Sequence, residues 1–229
     1  MRLFLFDVDG TLIVARGAGR EAFNRALHAV YGTAGPEEGR YDFRGKTDPR
    51  ILLDLLTAAG LGPGEIAAGA ARFYATYVDE LAAVIGDGRR VTVMPGIADV
   101  VRALARREDA VVGLLTGNIE GGARVKLAPT GLWPLFRLGA YGSDHIDRRA
   151  LPAVACARAR QAVGHDFSFD RVTIIGDTPL DVDCARACGA RAVAVATGFH
   201  PYGDLEGCAP DLLFPDFADV PRVLAALTA

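Results

Sequence analysis

Residues 3–13 read "LFLFDVDGTLI", and the fold turns on how this stretch is understood. Four apolar residues, Leu3 to Phe6, lead straight into Asp7, and Asp9 follows two residues later. A short run that is apolar on both faces is the pattern of a strand buried inside a parallel sheet. Two carboxylates at the end of such a strand are costly unless a positive partner meets them. A single Asp after a strand is commonly a turn or helix-cap residue, so the pair needs support from elsewhere in the chain.

That support is in the strand pattern. Ala110–Leu115, Val172–Ile175 and Ala192–Ala196 are equally apolar, and Phe136–Ala140 and Leu212–Phe214 are weaker runs of the same kind. Helical patterns lie between them at Gly96–Arg107, Glu120–Pro129, Leu151–Val163, Leu180–Cys188 and Phe217–Leu227. Strand–helix alternation predicts an α/β fold, a Rossmann-like parallel sheet with helices on both faces. In such sheets ligands bind beyond the carboxyl ends of the strands. The strand ends carry Asp7 and Asp9, then Thr116, Gly117 and Asn118, then Asp177 and Asp181. Nothing near Asp7 in sequence supplies two positive charges. A hard divalent cation held by oxygens would, and Mg²⁺ commonly takes one or two carboxylates with phosphate and water.

Residues 15–90 break the alternation. Three helical stripes occur there: Ala22, Phe23, Ala26, Leu27 and Val30; Ile51, Leu52, Leu55 and Leu56; and Ile66, Ala70, Phe73, Tyr77, Leu81 and Val84. The expected organisation is therefore a core of residues 1–14 and 91–229 with an inserted all-helical cap of residues 15–90. Ala15–Gly19 and Gly86–Gly88 are candidate hinges.

Bulk properties narrow the function class. The chain has 229 residues, 51% hydrophobic and 23% charged, with net charge −3. That length buries roughly 70% of the unfolded surface, enough for a core without staples. The negative charge argues against a dedicated nucleic-acid binder. No apolar run approaches the roughly 20 residues of a membrane span, and aspartates cut short any signal-peptide pattern. A cytoplasmic monomer or homodimer is expected. The four cysteines lack a CxxC, and reduced thiols are the expectation. The histidines carry no metal-ligand spacing. "TGNIEGG" is glycine-rich but lacks the lysine of a P-loop.

With these residues in view, the chain resembles the haloacid dehalogenase-like hydrolases. "DVDGT", "LLTGN" and "IIGDTPLD" after successive strands carry the resemblance, and it covers nearly the whole chain. The inserted helices resemble the cap of phosphoglycolate phosphatases and β-phosphoglucomutases, and "MPGIADVVRAL" resembles their return from cap to core. The resemblance implies an Mg²⁺-dependent phosphatase acting on a small phosphorylated metabolite through an aspartyl-phosphate. A phosphomutase is the alternative, and a non-catalytic phosphate-binding protein is a third. Asp7 is implied as nucleophile and Asp9 as general acid/base; an Asp at position 9 separates phosphoryl transfer from dehalogenation. Asp7, Asp177 and the Asp9 carbonyl are implied to hold Mg²⁺, with Asp181 in support. Thr116 and the backbone of Gly117 and Asn118 are implied to bind the phosphoryl oxygens.

One motif departs from the family pattern. Many relatives place a lysine before the helix leading to the last motif, where this chain has "SDHIDRRALPAV". Lys126, on the helix after Thr116, is expected to replace it and to reach the phosphate and Asp7. Arg148 and Arg149 are the alternatives, dispensable if Lys126 serves. In the cap, "YDFRGKTDPR" offers Arg44, Lys46 and Thr47 as candidate substrate contacts, with Gly45 allowing close backbone approach.

Overall fold

The computed structural model describes residues 1–37 and 39–229. Among the described residues, six parallel strands form one sheet in the order β5-β4-β1-β6-β7-β8. They are β1 (Arg2–Phe6), β4 (Ala110–Thr116), β5 (Leu138–Tyr141), β6 (Val172–Gly176), β7 (Arg191–Val195) and β8 (Leu212–Phe214). β1 is central. Phe6 pairs with Leu114 of β4 on one side and Ile175 of β6 on the other, so all three strands end at one level. Alternate residues of β1 feed two cores. Phe4 and Phe6 face α4 (Ile97–Ala105) and α9 (Val220–Thr228), whereas Leu3 and Leu5 face α6 (Leu151–Val163) and α7 (Pro179–Cys188).

The helical cap is built from α1 (Ala18–Tyr31), α2 (Asp48–Ala58) and α3 (Pro63–Ile85). The α1 and α3 stripes meet through Phe23, which packs edge-on against Phe73 and Tyr77 with ring centroids 4.8 and 5.3 Å away. α3 starts at Pro63, where the fixed φ of proline suits a first turn, and the Gly62 N–H donates to Glu65 at 2.9 Å. The cap also rests on the core, with α3 packed against α5 (Glu120–Leu127).

Several boundaries differ from the expectations, each for a local reason. α5 stops at Leu127 and tightens into a 3-10 turn, Ala128–Thr130, because Pro129 cannot continue the helix. α9 begins at Val220 rather than Phe217, since Asp219 caps it by accepting from the Arg222 N–H and Pro221 fills its first turn. A short helix, α8 (Tyr202–Gly207), lies where only loop was expected. The chain leaves and re-enters the core through a two-stranded antiparallel ribbon, β2 (Ile13–Val14) with β3 (Thr92–Val93), and the Met94 N–H donates to the Leu12 carbonyl at 3.0 Å.

All four cysteines are free thiols. No helix among the described residues is long and apolar enough to cross a membrane.

Candidate active site

The end of β1 is an acidic corner. Asp7, Asp177 and Asp181 are 5%, 3% and 1% exposed, and one carboxylate oxygen of each lies within 4.8 Å of the others. Asp7 continues the ladder, its N–H donating to Ile175 O at 2.9 Å. Thr11 turns back from the same loop and donates to Asp177 Oδ1 at 3.1 Å. The loop turns at Gly10, φ +82°, where a Cβ would collide with the Asp177 carboxyl.

Burial raises the pKa of Asp7, with Arg148 opposing and Asp181 and Asp9 adding to the rise. Asp177 is pushed well up, first by burial and then by Asp7 and Asp181. Crowding and burial thus work against the charged forms of Asp7 and Asp177, and added positive charge would favour them. A divalent cation suits this oxygen donor set, and Asp7 and Asp177 offer the oxygens. Asp181 is already engaged. Its Oδ2 accepts from Thr178 N and Oγ1 at 3.0 and 2.7 Å in a capping box at the start of α7, and its Oδ1 accepts from Arg148.

Arg148 corrects the assignment of the cation beside Asp7. It sits in a 3-10 turn, Arg148–Ala150, just before α6, and is 7% exposed. Its Nη2 donates to Asp7 Oδ1 at 3.1 Å, to Asp181 and to the Leu115 carbonyl, while Nη1 donates to Gly45 O of the cap at 3.1 Å. Arg149 points the other way, exposed and paired with Asp183 at 2.8 and 3.0 Å.

Lys126 meets Asp9 instead. From the second turn of α5 its stem leans toward the helix N-terminus, as helical side chains do. Its Nζ lies 2.6 Å from Asp9 Oδ2 and 2.6 Å from Asn118 Oδ1. Asn118 Nδ2 donates to Asp9 Oδ2 and to Thr116 Oγ1, each at 2.8 Å. Lys126 is 5% exposed, whereas the Asp9 side chain is 45% exposed toward the cavity. Asp9, Thr116, Asn118 and Lys126 thus form one hydrogen-bonded set, with Gly117 beside it.

The cap loop is docked on this site. Asp48 N donates to Gly117 O at 2.7 Å, Asp48 Oδ2 accepts from Ile119 N at 2.8 Å, and Thr47 Oγ1 donates to Ile146 O at 2.7 Å. Backbone meets backbone closely, for a Cβ on Gly117 would strike Lys46 O. Of the three cap candidates, Thr47 is buried as the N-cap of α2, accepting from Arg50 N at 3.3 Å. Arg44 and Lys46 line the cavity, but Arg44 grips Asp42 at 2.7 and 2.9 Å. Lys46 lies 3.6 Å from Asp54 and 3.9 Å from the centre of the Tyr41 ring.

Sequence leaves Thr11 open between a turn and a site role, and it misses Asp48. Thr11 looks like a turn residue until its partner Asp177 is known. Asp48 looks like an ordinary first-turn acid after Thr47, yet it is buried against the core, and desolvation raises its pKa to about 6.

Residues 4–186 match the haloacid dehalogenase-like hydrolase family. A phosphoglycolate phosphatase of Synechococcus elongatus is 27% identical over 99% of both chains. One of Rhodospirillum rubrum is 28% identical over 94% of this chain and 88% of its own. Among solved structures, a hydrolase from Pseudomonas syringae superposes with a TM-score of 0.74 at 19% identity, covering 100% of both chains. A putative β-phosphoglucomutase from Bacteroides vulgatus gives 0.70 at 20% identity, covering 100% of this chain and 89% of that one.

Proposed function

Because the chain belongs to the haloacid dehalogenase-like hydrolases, we propose that it is a metal-dependent phosphatase that hydrolyses a small phosphorylated metabolite through an aspartyl-phosphate. The observation that carries this reading is the separation of two adjacent carboxylates, Asp7 buried beside Arg148 and Asp9 open to the cavity beside Lys126.

In the first step an Asp7 oxygen attacks phosphorus as the ester P–O bond breaks, and the leaving oxygen takes a proton from Asp9. In the second step Asp9 takes a proton from water, the water oxygen attacks phosphorus, and the Asp7 carboxylate leaves. Splitting the displacement in this way replaces one difficult step by two easier ones. The Thr116 hydroxyl, oriented by Asn118, and the backbone N–H groups beside it offer donors for the phosphoryl oxygens. Arg148 and Lys126 are themselves buried and supply positive charge beside the reacting carboxylates, where charge held in place acts more strongly than in water. Asp7, Asp177 and the Asp9 carbonyl would hold Mg²⁺. When bound, the ion supplies positive charge to offset the crowded carboxylates and the transferring oxygens.

The test is phosphate release from p-nitrophenyl phosphate and from 2-phosphoglycolate, with Mg²⁺ and after chelation. Rapid acid quench should trap a phosphorylated protein that maps to Asp7. Absence of both metal-dependent release and a phosphorylated Asp7 would overturn the reading.

A further inference from the structure

The reacting groups themselves line a cavity of about 660 Å³ whose far wall none of the proposed chemistry uses. Pockets of about 300–1,000 Å³ hold drug-sized ligands, so beyond the space for phosphate at Asp7 and Thr116 this one has room for a sizeable leaving group. An open lid does not account for the room, because the cap loop is already docked through Asp48, Thr47 and Gly45.

The far wall is aromatic. Phe43 stands edge-on to Phe23 and to Tyr41, with centroids 6.1 and 5.1 Å away, and the Arg20 guanidinium carbon lies 5.8 Å from its ring centre. Phe23 and Tyr77 are buried, so this wall is fixed in place. On the core side of the same cavity Phe199 is 69% exposed, the most exposed of the large hydrophobics. A ring left in water at the edge of a cavity gains contact area when something apolar covers it. Of the cap cations lining the cavity, Arg44 is held by Asp42 and Lys46 by Asp54 and the Tyr41 ring, while Arg16 bonds to Thr92 and Arg20 to the Pro36 carbonyl.

We propose that the leaving group of the substrate carries a planar aromatic or heteroaromatic ring, seated between Phe43 of the cap and Phe199 of the core. The inference rests on the phosphatase reading and narrows its substrate. Flat rings stack or meet edge-on with aromatic walls at little cost in conformational entropy, and the Arg20–Phe43 contact offers a cationic face beside the ring.

The experiment uses matched pairs in which only the ring differs. Benzyl phosphate is compared with ethyl phosphate, and a nucleoside 5′-monophosphate with ribose 5-phosphate, all primary alkyl esters. The ring-bearing member should have at least tenfold higher kcat/KM in at least one pair, a discrimination worth about 1.4 kcal/mol. Phe199→Ala and Phe43→Leu should each reduce that ratio, chiefly through KM. In parallel, calorimetry with Mg²⁺ should show benzylphosphonate binding at least tenfold more tightly than methylphosphonate. Turnover without ring preference, or a preference that both variants leave intact, overturns the inference and spares the phosphatase reading. Ring-dependent phosphonate binding without turnover of any ester would do the reverse. Equal binding of the two phosphonates counts against the ring site whatever the turnover.

Discussion

The Asp7 corner and the Asp9 corner are neighbours with opposite construction. At Asp7 the cation is an arginine fork that grips two carboxylates and two carbonyls, and every carboxylate there is buried. At Asp9 the cation is a single ammonium on a flexible stem, and the carboxylate is open to the cavity. A planar fork with several acceptors is rigid, while a lysine is a point charge whose stem can follow its partner. The difference fits the proposed division of work. The attacking carboxylate needs one fixed position, and the proton-moving one must meet a leaving group and then a water.

The largest effect expected is at the fixed corner. Asp7→Asn should lower kcat by about 10⁴-fold or more, the scale of losing a nucleophile, without unfolding the protein. Steady-state assay and acid-quench labelling check this, and retained labelling would break the comparison. Next is Arg148→Ala, which strips a buried ion pair and should cost roughly 3–5 kcal/mol of stability along with most activity. Arg148→Lys should recover part of the activity, because a lysine restores charge but not the grip on both Asp7 and Gly45. Denaturant melts and kcat for both variants distinguish charge from grip. If Arg148→Ala is mild, the two corners are not different in kind.

A smaller effect is expected at the open corner. Lys126→Ala should leave metal binding intact and slow turnover toward the lower end of the roughly 10²–10⁴-fold range of acid–base catalysis. Alkyl esters, which need a protonated leaving oxygen, should suffer more than aryl esters in single turnovers.

Asp48 sharpens the comparison from the cap side. Burial raises its pKa from 3.8 to about 6, so between about pH 4 and pH 6 the folded state holds a proton that the unfolded state has lost. Stability therefore falls as pH rises through that window, by up to about 3 kcal/mol, and stays lower above it. Asp48→Asn keeps an acceptor for Ile119 N and removes the ionisation. Its melting temperature should match the wild type near pH 4 and exceed it near pH 7.5. The smallest effect is Thr47→Val, which removes a helix cap and the bond to Ile146 and should cost about 1 kcal/mol, read by urea titration.

The sheet was legible because buried parallel strands are apolar on both faces, and β1, β4 and β6 announce themselves and their polar ends. The cations were not. Arg148 and Arg149 are adjacent with identical side chains, yet one is buried under Asp7 and the other pairs with Asp183 on the surface. That choice depends on a contact 141 residues away in the chain, which local pattern cannot supply. Helix geometry brings Lys126 to the active edge of the sheet, but its meeting Asp9 rather than Asp7 depends on tertiary neighbours such as Asn118. The docking of the cap loop was equally hidden, because Thr47, Asp48 and Pro49 have the composition of any helix start. β2 and β3 are two residues each, too short for alternation to register.

The small β2–β3 ribbon has a consequence for how such proteins diversify. With Ile13 beside Val93 and Leu12 bonded to Met94, the outgoing and returning chains are clasped together before the cap begins. To the sheet, the whole cap is a loop with closed ends, and lengthening such a loop costs only a logarithm. The clasp works as a socket: a lid of another size or shape can be exchanged there while the strand ends bearing Asp7, Thr116 and Asp177 keep their spacing.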